Sequence, residues 1–154
     1  MPRTDLRALA AVAAFAALMA ASPAAGCTIS VTAVAFGNYN PISAANDDST
    51  GTLIAVCHPS VSSPVASVDG GSSGSIMART MRNGAVTLNY NLYTDIGRTS
   101  VWGNGGTGAT ATLTGGTVSG GERTFIRTIY GRIPGLQAVG AGLYTDTLIV
   151  TLTF

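Results

Sequence analysis

Apolar and polar residues alternate with a period of two along most of the chain beyond Cys27, the pattern of strands with one buried face. The clearest case is the last segment, where Leu148, Val150, Leu152 and Phe154 share one face, Thr147, Thr151 and Thr153 the other, and Ile149 alone breaks the rule. Residues 85–93 repeat it, with Val86, Leu88, Tyr90 and Leu92 opposite Thr87, Asn89 and Asn91. Just before them Asn83-Gly84 offers two residues that tolerate positive φ, so residues 75–82 are expected to run antiparallel to 85–93 across a two-residue turn. Residues 28–34 and 51–57 are two further strands, each beginning or ending near a cysteine, and Ala109–Thr114 is a strand of small side chains that pack little. Only residues 122–130 leave room for a short helical turn.

Segments rich in Gly, Ser, Thr and Asn separate these strands at 43–51, 69–75, 103–108 and 115–121. Such composition makes turns, and strands at this spacing predict a β-sandwich with long edge loops.

Composition changes the picture mainly at the N-terminus. Arg3 and Arg7 precede an uncharged 14-residue run from Ala8 to Ala21, followed by Ser22-Pro23-Ala24-Ala25-Gly26. A basic start, an apolar stretch too short to span a bilayer and small residues at the end read as a secretory signal over residues 1–26, with one domain over 27–154. Residues 27–154 hold six Arg and six acidic residues, with no Lys. This neutral balance without a basic run argues against nucleic acid or an anionic membrane as partner.

Two cysteines in an exported chain point to a Cys27–Cys57 disulfide. The competing reading takes Ala24-Ala25-Gly26-Cys27 as a loose lipid-attachment signal, although it lacks the usual Leu three residues before the cysteine.

Catalytic chemistry has few parts to draw on. His58 is the single histidine, which excludes a two-His metal site, and its place between Cys57 and Pro59 suits an exposed polar residue entering a turn. Asp47-Asp48 reads as a solvated turn, because adjacent acids without a spaced ligand set do not match a calcium loop. Gly103-Asn104-Gly105-Gly106-Thr107-Gly108 satisfies G-x-G-x-x-G, yet a β-type run follows it where a dinucleotide site needs a helix. Trp102 is expected at the core or its edge, with contact to an outside surface as the alternative. Arg79, Arg82, Arg123, Arg127 and Arg132 read as solvent-facing charges. No catalytic residue, metal site or cofactor is expected.

Seven motifs then occur in order: Cys27, Phe36-Gly37-Asn38-Tyr39-Asn40-Pro41, Gly51-Thr52-Leu53 leading to Cys57, Leu88-Asn89-Tyr90-Asn91-Leu92-Tyr93-Thr94-Asp95, Trp102-Gly103, Tyr130-Gly131-Arg132-Ile133-Pro134, and Gly142-Leu143-Tyr144-Thr145-Asp146-Thr147. Together they resemble the spore coat protein U domain family, which includes pilin subunits of archaic chaperone-usher pili. The resemblance implies an immunoglobulin-like β-sandwich lacking its final strand, exported through the periplasm to a pilus or coat at the cell surface. It also implies three kinds of partner: a periplasmic chaperone, an outer-membrane usher and other pilin subunits that lend the missing strand by donor-strand complementation.

By position, Ile29 and Val31 on the first strand and Leu148, Val150, Leu152 and Phe154 on the last would line the groove that this strand fills. A donor needs about ten residues or more ahead of the first cysteine. The leader runs almost directly into Cys27, so the chain is expected to accept a strand and not to lend one, either ending a fibre or belonging to a coat that does not polymerise; a misplaced start or signal boundary is the third alternative, and would restore the donor role. A recognition module acting through the Trp102 loop or the 43–51 loop is the second reading; a secreted enzyme is the third, with the least support.

Overall fold

The computed structural model describes residues 26–154, so all but the last residue of the segment read as a signal lies outside the described residues. Nine strands follow in order: β1 (Cys27–Thr32), β2 (Asp47–Cys57), β3 (Val65–Val68), β4 (Arg79–Asn83), β5 (Val86–Tyr93), β6 (Ala111–Thr112), β7 (Thr117–Ser119), β8 (Glu122–Ile133) and β9 (Val150–Thr153), with one 3-10 turn at Gly71–Ser73. The larger sheet has the order β1-β2-β8-β5-β4, with β7 also on β8, and the smaller has the order β6-β3-β9. The two pack as an immunoglobulin-like sandwich in which, among the described residues, no strand joins the outer edge of β1 to that of β9.

The inward positions of each strand supply the core. Leu53 and Ala55 on β2 and Phe125, Ile129 and Ile133 on β8 face Ala66 and Val68 on β3, and Leu88, Leu92, Trp102 and Leu113 fill the space between them. β2 and β8 pair along their whole length, from Asp47↔Ile133 to Cys57↔Arg123, and form the backbone of the larger sheet.

Three expectations about elements are corrected. Residues 122–130 form no helical turn but belong to β8, the longest strand; Arg123 and Arg127 at inward positions blur its alternation. The hairpin turn is Gly84-Ala85, because Asn83 still pairs with Val86 inside the ladder and only Gly84 takes positive φ, at 59°. In the 109–114 segment the small side chains do pack: Ala111 and Leu113 are buried, although only two residues keep strand pairing.

Cys27 and Cys57 are cross-strand partners joined by a disulfide, which ties the start of β1 to the end of β2. Apart from this bond, β1 is held weakly. Its only partner strand among the described residues is β2, and every residue after Cys27 is exposed.

Candidate functional site

The exposure of β1 has a specific cause, which is a groove between it and the segment leading into β9. The cavity holds about 570 Å³ and runs between Ile29 and Val31 on one side and Leu148 and Val150 on the other, over a floor of Val68, Leu92, Trp102 and Ile129. A second cavity of about 690 Å³ continues it between residues 34–41 and 139–144, sharing Val34, Phe36, Met81 and Tyr144 with the first.

Among the described residues both rims are unpaired strand edges. The His58 amide donates to the Gly26 carbonyl, which sets the even residues of β1 toward β2 and, by antiparallel alternation, turns the N–H and C=O groups of Ile29 and Val31 toward the groove. On the far side the Asp69 amide donates to the Ile149 carbonyl and the Ile149 amide to Asp69 Oδ1, so Leu148, Val150 and Leu152 turn their backbone groups away from β3. The site therefore offers apolar side chains and free backbone hydrogen-bonding groups along the same two lines.

The direction of the rims follows from the topology. β1 is antiparallel to β2 and β9 to β3. The end of β3 lies near the start of β2, since the Val68 amide donates to the Gly103 carbonyl and the Trp102 amide to the Leu92 carbonyl, and Leu92 pairs with Gly131, the partner of Ser49 on β2. β1 and β9 therefore run opposite ways. A strand laid between them is parallel to one rim and antiparallel to the other.

Of the six residues expected along a groove, the structure places Ile29, Val31, Leu148 and Val150 on its walls. Leu152 packs beside the core beyond the cavity's end, and Phe154 is exposed and does not reach the lining. The floor residues and the wall made by Val34 and Phe36 are missing from the sequence reading, because their approach depends on two glycines on neighbouring strands.

Gly51 on β2 and Gly131 on β8 both face inward and are buried. A Cβ on Gly51 would meet the Thr32 carbonyl at 2.6 Å and Val34 Cγ2 at 2.9 Å; one on Gly131 would meet Val34 Cγ1 at 2.6 Å and the Phe36 ring at 2.7 Å. The two glycines thus leave a trough in which the chain beyond β1 crosses the sheet face. We expect Gly51→Val to push this crossing outward at a cost of about 2 to 3 kcal/mol, read as a thermal midpoint lowered by about 10 °C. An unchanged midpoint would show that the trough is not needed.

Polar groups beneath the groove are paired. Asp146 accepts from the Ser72 amide at 2.8 Å, from the Thr147 amide at 2.9 Å and from the Tyr90 hydroxyl at 2.7 Å. Burial and the adjoining carboxylate push the Tyr90 phenol far above its ordinary range, so it stays a donor at every physiological pH. Trp102 is 1% exposed and donates from Nε1 to the Ala66 carbonyl, which removes it as a contact for an outside surface. Arg79, expected to face solvent, is fully buried.

The remaining sequence candidates are structural. Asp47 and Asp48 open β2 and do not form a turn. Asp48 takes a bidentate pair of hydrogen bonds from Arg132 at 2.7 and 2.8 Å and a second ion pair from Arg98 at 3.3 Å. His58 pairs its Nδ1 with the Ser60 hydroxyl at 2.7 Å, and in the 103–108 loop Asn104 Oδ1 accepts from the Gly106 and Thr107 amides. Among the described residues no cluster of three or more His, Cys, Asp or Glu could hold a metal ion.

The Asp48 pairing carries a pH signature. Hydrogen bonding and charge from Arg132 hold its carboxyl below the ordinary value of 3.8, so its contribution to stability is present above that value and is lost as pH falls through the folded-state pKa. Asp47 has the opposite sign, because burial and its neighbour raise its pKa and penalise the charged form. We expect Arg132→Gln to flatten the fall of the thermal midpoint below about pH 4. A mutant with the same acid limb as the parent would remove Asp48 as its source.

Comparison with known proteins agrees with this architecture. Residues 11–151 match the Spore Coat Protein U domain family. The chain is 35% identical over 132 residues to Protein U of Myxococcus xanthus, an alignment spanning 77% of this chain and 70% of that one. A crystal structure of a chaperone-tip adhesion subunit pre-assembly complex from the archaic chaperone-usher Csu pili of Acinetobacter baumannii has a similar fold, with a TM-score of 0.60 at 18% identity. That match covers 84% of this chain but only 39% of the solved chain.

Proposed function

Because the chain belongs to the spore coat protein U domain family, we propose that it is a secreted structural subunit of a chaperone-usher type pilus or of a surface coat, completed by a strand from another chain. The observation that carries this reading is the groove, where an apolar floor lies between two strand edges that are unpaired among the described residues. Water is a poor occupant of such a site, and an exposed edge invites pairing. An added strand satisfies both demands: its backbone pairs with β1 and with the β9 edge, and its alternate side chains bury against the floor at roughly 1.5 to 3 kcal/mol each.

The partners of this reading are strand donors: a periplasmic chaperone first, then a neighbouring subunit, with an outer-membrane usher at the point of exchange. Ile29, Val31, Leu148 and Val150 are the proposed contacts. Leu152 and Phe154 extend the same edge without lining the cavity.

A synthetic peptide of about ten residues with alternating apolar and polar side chains tests the proposal. Saturating peptide should raise the thermal midpoint by several degrees through mass action and change the emission of Trp102, the chain's one tryptophan. If peptides of either polarity leave both unchanged, the groove is not a strand site.

A further inference from the structure

We infer that Arg79 is a positioning residue for the groove, a polar strut that keeps the unfilled site open; this rests on the strand-acceptor reading above. Arg79 is fully buried on β4, and its guanidinium is held by oxygens from three separate segments. Nε and Nη2 donate to the Asp69 carbonyl at 3.0 and 2.6 Å, Nη2 also donates to the Trp102 carbonyl at 2.9 Å, and Nη1 donates to Asn91 Oδ1 at 2.7 Å. None of these acceptors is a carboxylate, and neither of the ion pairs among the described residues involves Arg79.

Each acceptor is attached to a part of the groove. Asp69 follows Val68 of the floor, and through its own amide and Oδ1 it grips Ile149, which lies between the wall residues Leu148 and Val150. Trp102 is itself floor, and Asn91 precedes Leu92, whose carbonyl accepts from the Trp102 amide. Asn91 is anchored in turn, donating from Nδ2 to the Ile76 and Met77 carbonyls. One guanidinium thus sets the spacing of floor and wall, and of the two sheets, at the same point.

The physical role follows from the cost of burying a charge. An empty apolar groove gains by closing on itself, since closure removes its lining from water. Closing it from the floor or from the β9 side requires Val68, Trp102 or the Leu148–Val150 wall to shift, and this would strip the guanidinium of acceptors that it cannot replace inside the core. A buried polar network of this kind contributes little net stability, yet it selects one arrangement over others. Here the arrangement selected is the one that receives a strand.

Arg79→Met, apolar and of similar reach, tests this in the oxidised full chain. We expect the variant to keep its strand content and disulfide, to bind the alternating peptide at least about tenfold more weakly, and to show acrylamide quenching of Trp102 changed at least about twofold without peptide. Quenching that matches the parent overturns the inference, whether or not any peptide binds. A parent that takes up no peptide counts against the strand-acceptor reading alone, because the quenching measurement still decides the role of Arg79.

Should Arg79→Met fail to fold, Asp69→Ala removes the Oδ1 half of the grip on Ile149 while leaving the Asp69 amide bond and the carbonyl that Arg79 uses. It should then speed amide exchange at residues 148–150 and lower peptide affinity at least about fivefold. Exchange at the parent's rate overturns the inference.

Discussion

On the proposed strand-acceptor reading, replacing Val150 with aspartate is expected to abolish strand uptake while leaving the sandwich folded. Val150 sits on the groove wall, and a carboxylate there remains hydrated as long as the groove is empty. Covering it with a strand buries a charge without a partner, in the same groove as the carboxylate of Asp146, at a cost of several kcal/mol. Affinity for the alternating peptide should fall by about a hundredfold or more, equivalent to about 2.7 kcal/mol, with the thermal midpoint of the empty chain lowered by less than about 5 °C. Thr151→Asp is the matched control. Thr151 is exposed and its side chain points to the opposite face of β9, so uptake should stay within about threefold of the parent. Equal loss in both variants, or loss in neither, would remove the groove wall as the recognition surface.

The second large effect is loss of the disulfide. Cys27 and Cys57 are 30 residues apart, and closing a loop of that length constrains the unfolded chain by about 3 to 4 kcal/mol. For a domain of this size, Cys27→Ser with Cys57→Ser should lower the thermal midpoint by about 10 to 20 °C. The structure adds a local consequence. Among the described residues β1 has one partner strand and exposed side chains, so losing the bond releases the rim that carries Ile29 and Val31 before the rest of the larger sheet. Amide exchange in the double variant should be fastest at residues 28–32. Exchange spread evenly over β1, β2 and β8 would show that the bridge serves global stability alone.

Period-two alternation makes β1, β5, β9 and the 51–57 part of β2 legible, whereas the start of β2 at residues 47–50 falls in a segment that reads as a turn. The even cysteine count points to the cross-strand disulfide that joins β1 to β2. The groove is legible only in part. Ile29, Val31, Leu148 and Val150 announce themselves by alternation on edge segments, whereas the floor is assembled from β3, β5, β8 and the segment around Trp102, which no local pattern connects. Gly51 and Gly131 look like ordinary strand glycines, and their role emerges only once β2 and β8 lie side by side beneath Val34 and Phe36.

Arg79 is the least legible residue of the site. A charged residue in a strand ordinarily faces water, and its acceptors come from residues 10 to 23 positions away. One local signal was available: Arg79 has the same strand parity as Met81, which is buried, while Thr80 and Arg82 take the outward positions. β8 escapes a local reading for a related reason. Its inward row includes Arg123 and Arg127, which reach the Pro59 and Thr94 carbonyls at the margins of the core.

The placement of the Cys27–Cys57 bond has a mechanical meaning. In a fibre built by lending strands, tension enters each subunit through the seated strand and is directed along β1 and the β9 edge. Ladder bonds loaded in that direction resist sliding together, in shear, and do not peel one after another. β1 would be the weak lamina of the stack, but its first residue is covalently riveted to the end of β2, which is zipped to β8 over eleven residue pairs. In such a fibre load would pass from the rim into the two longest strands among the described residues, and the fibre would yield by withdrawal of the lent strand while the subunit itself stays folded.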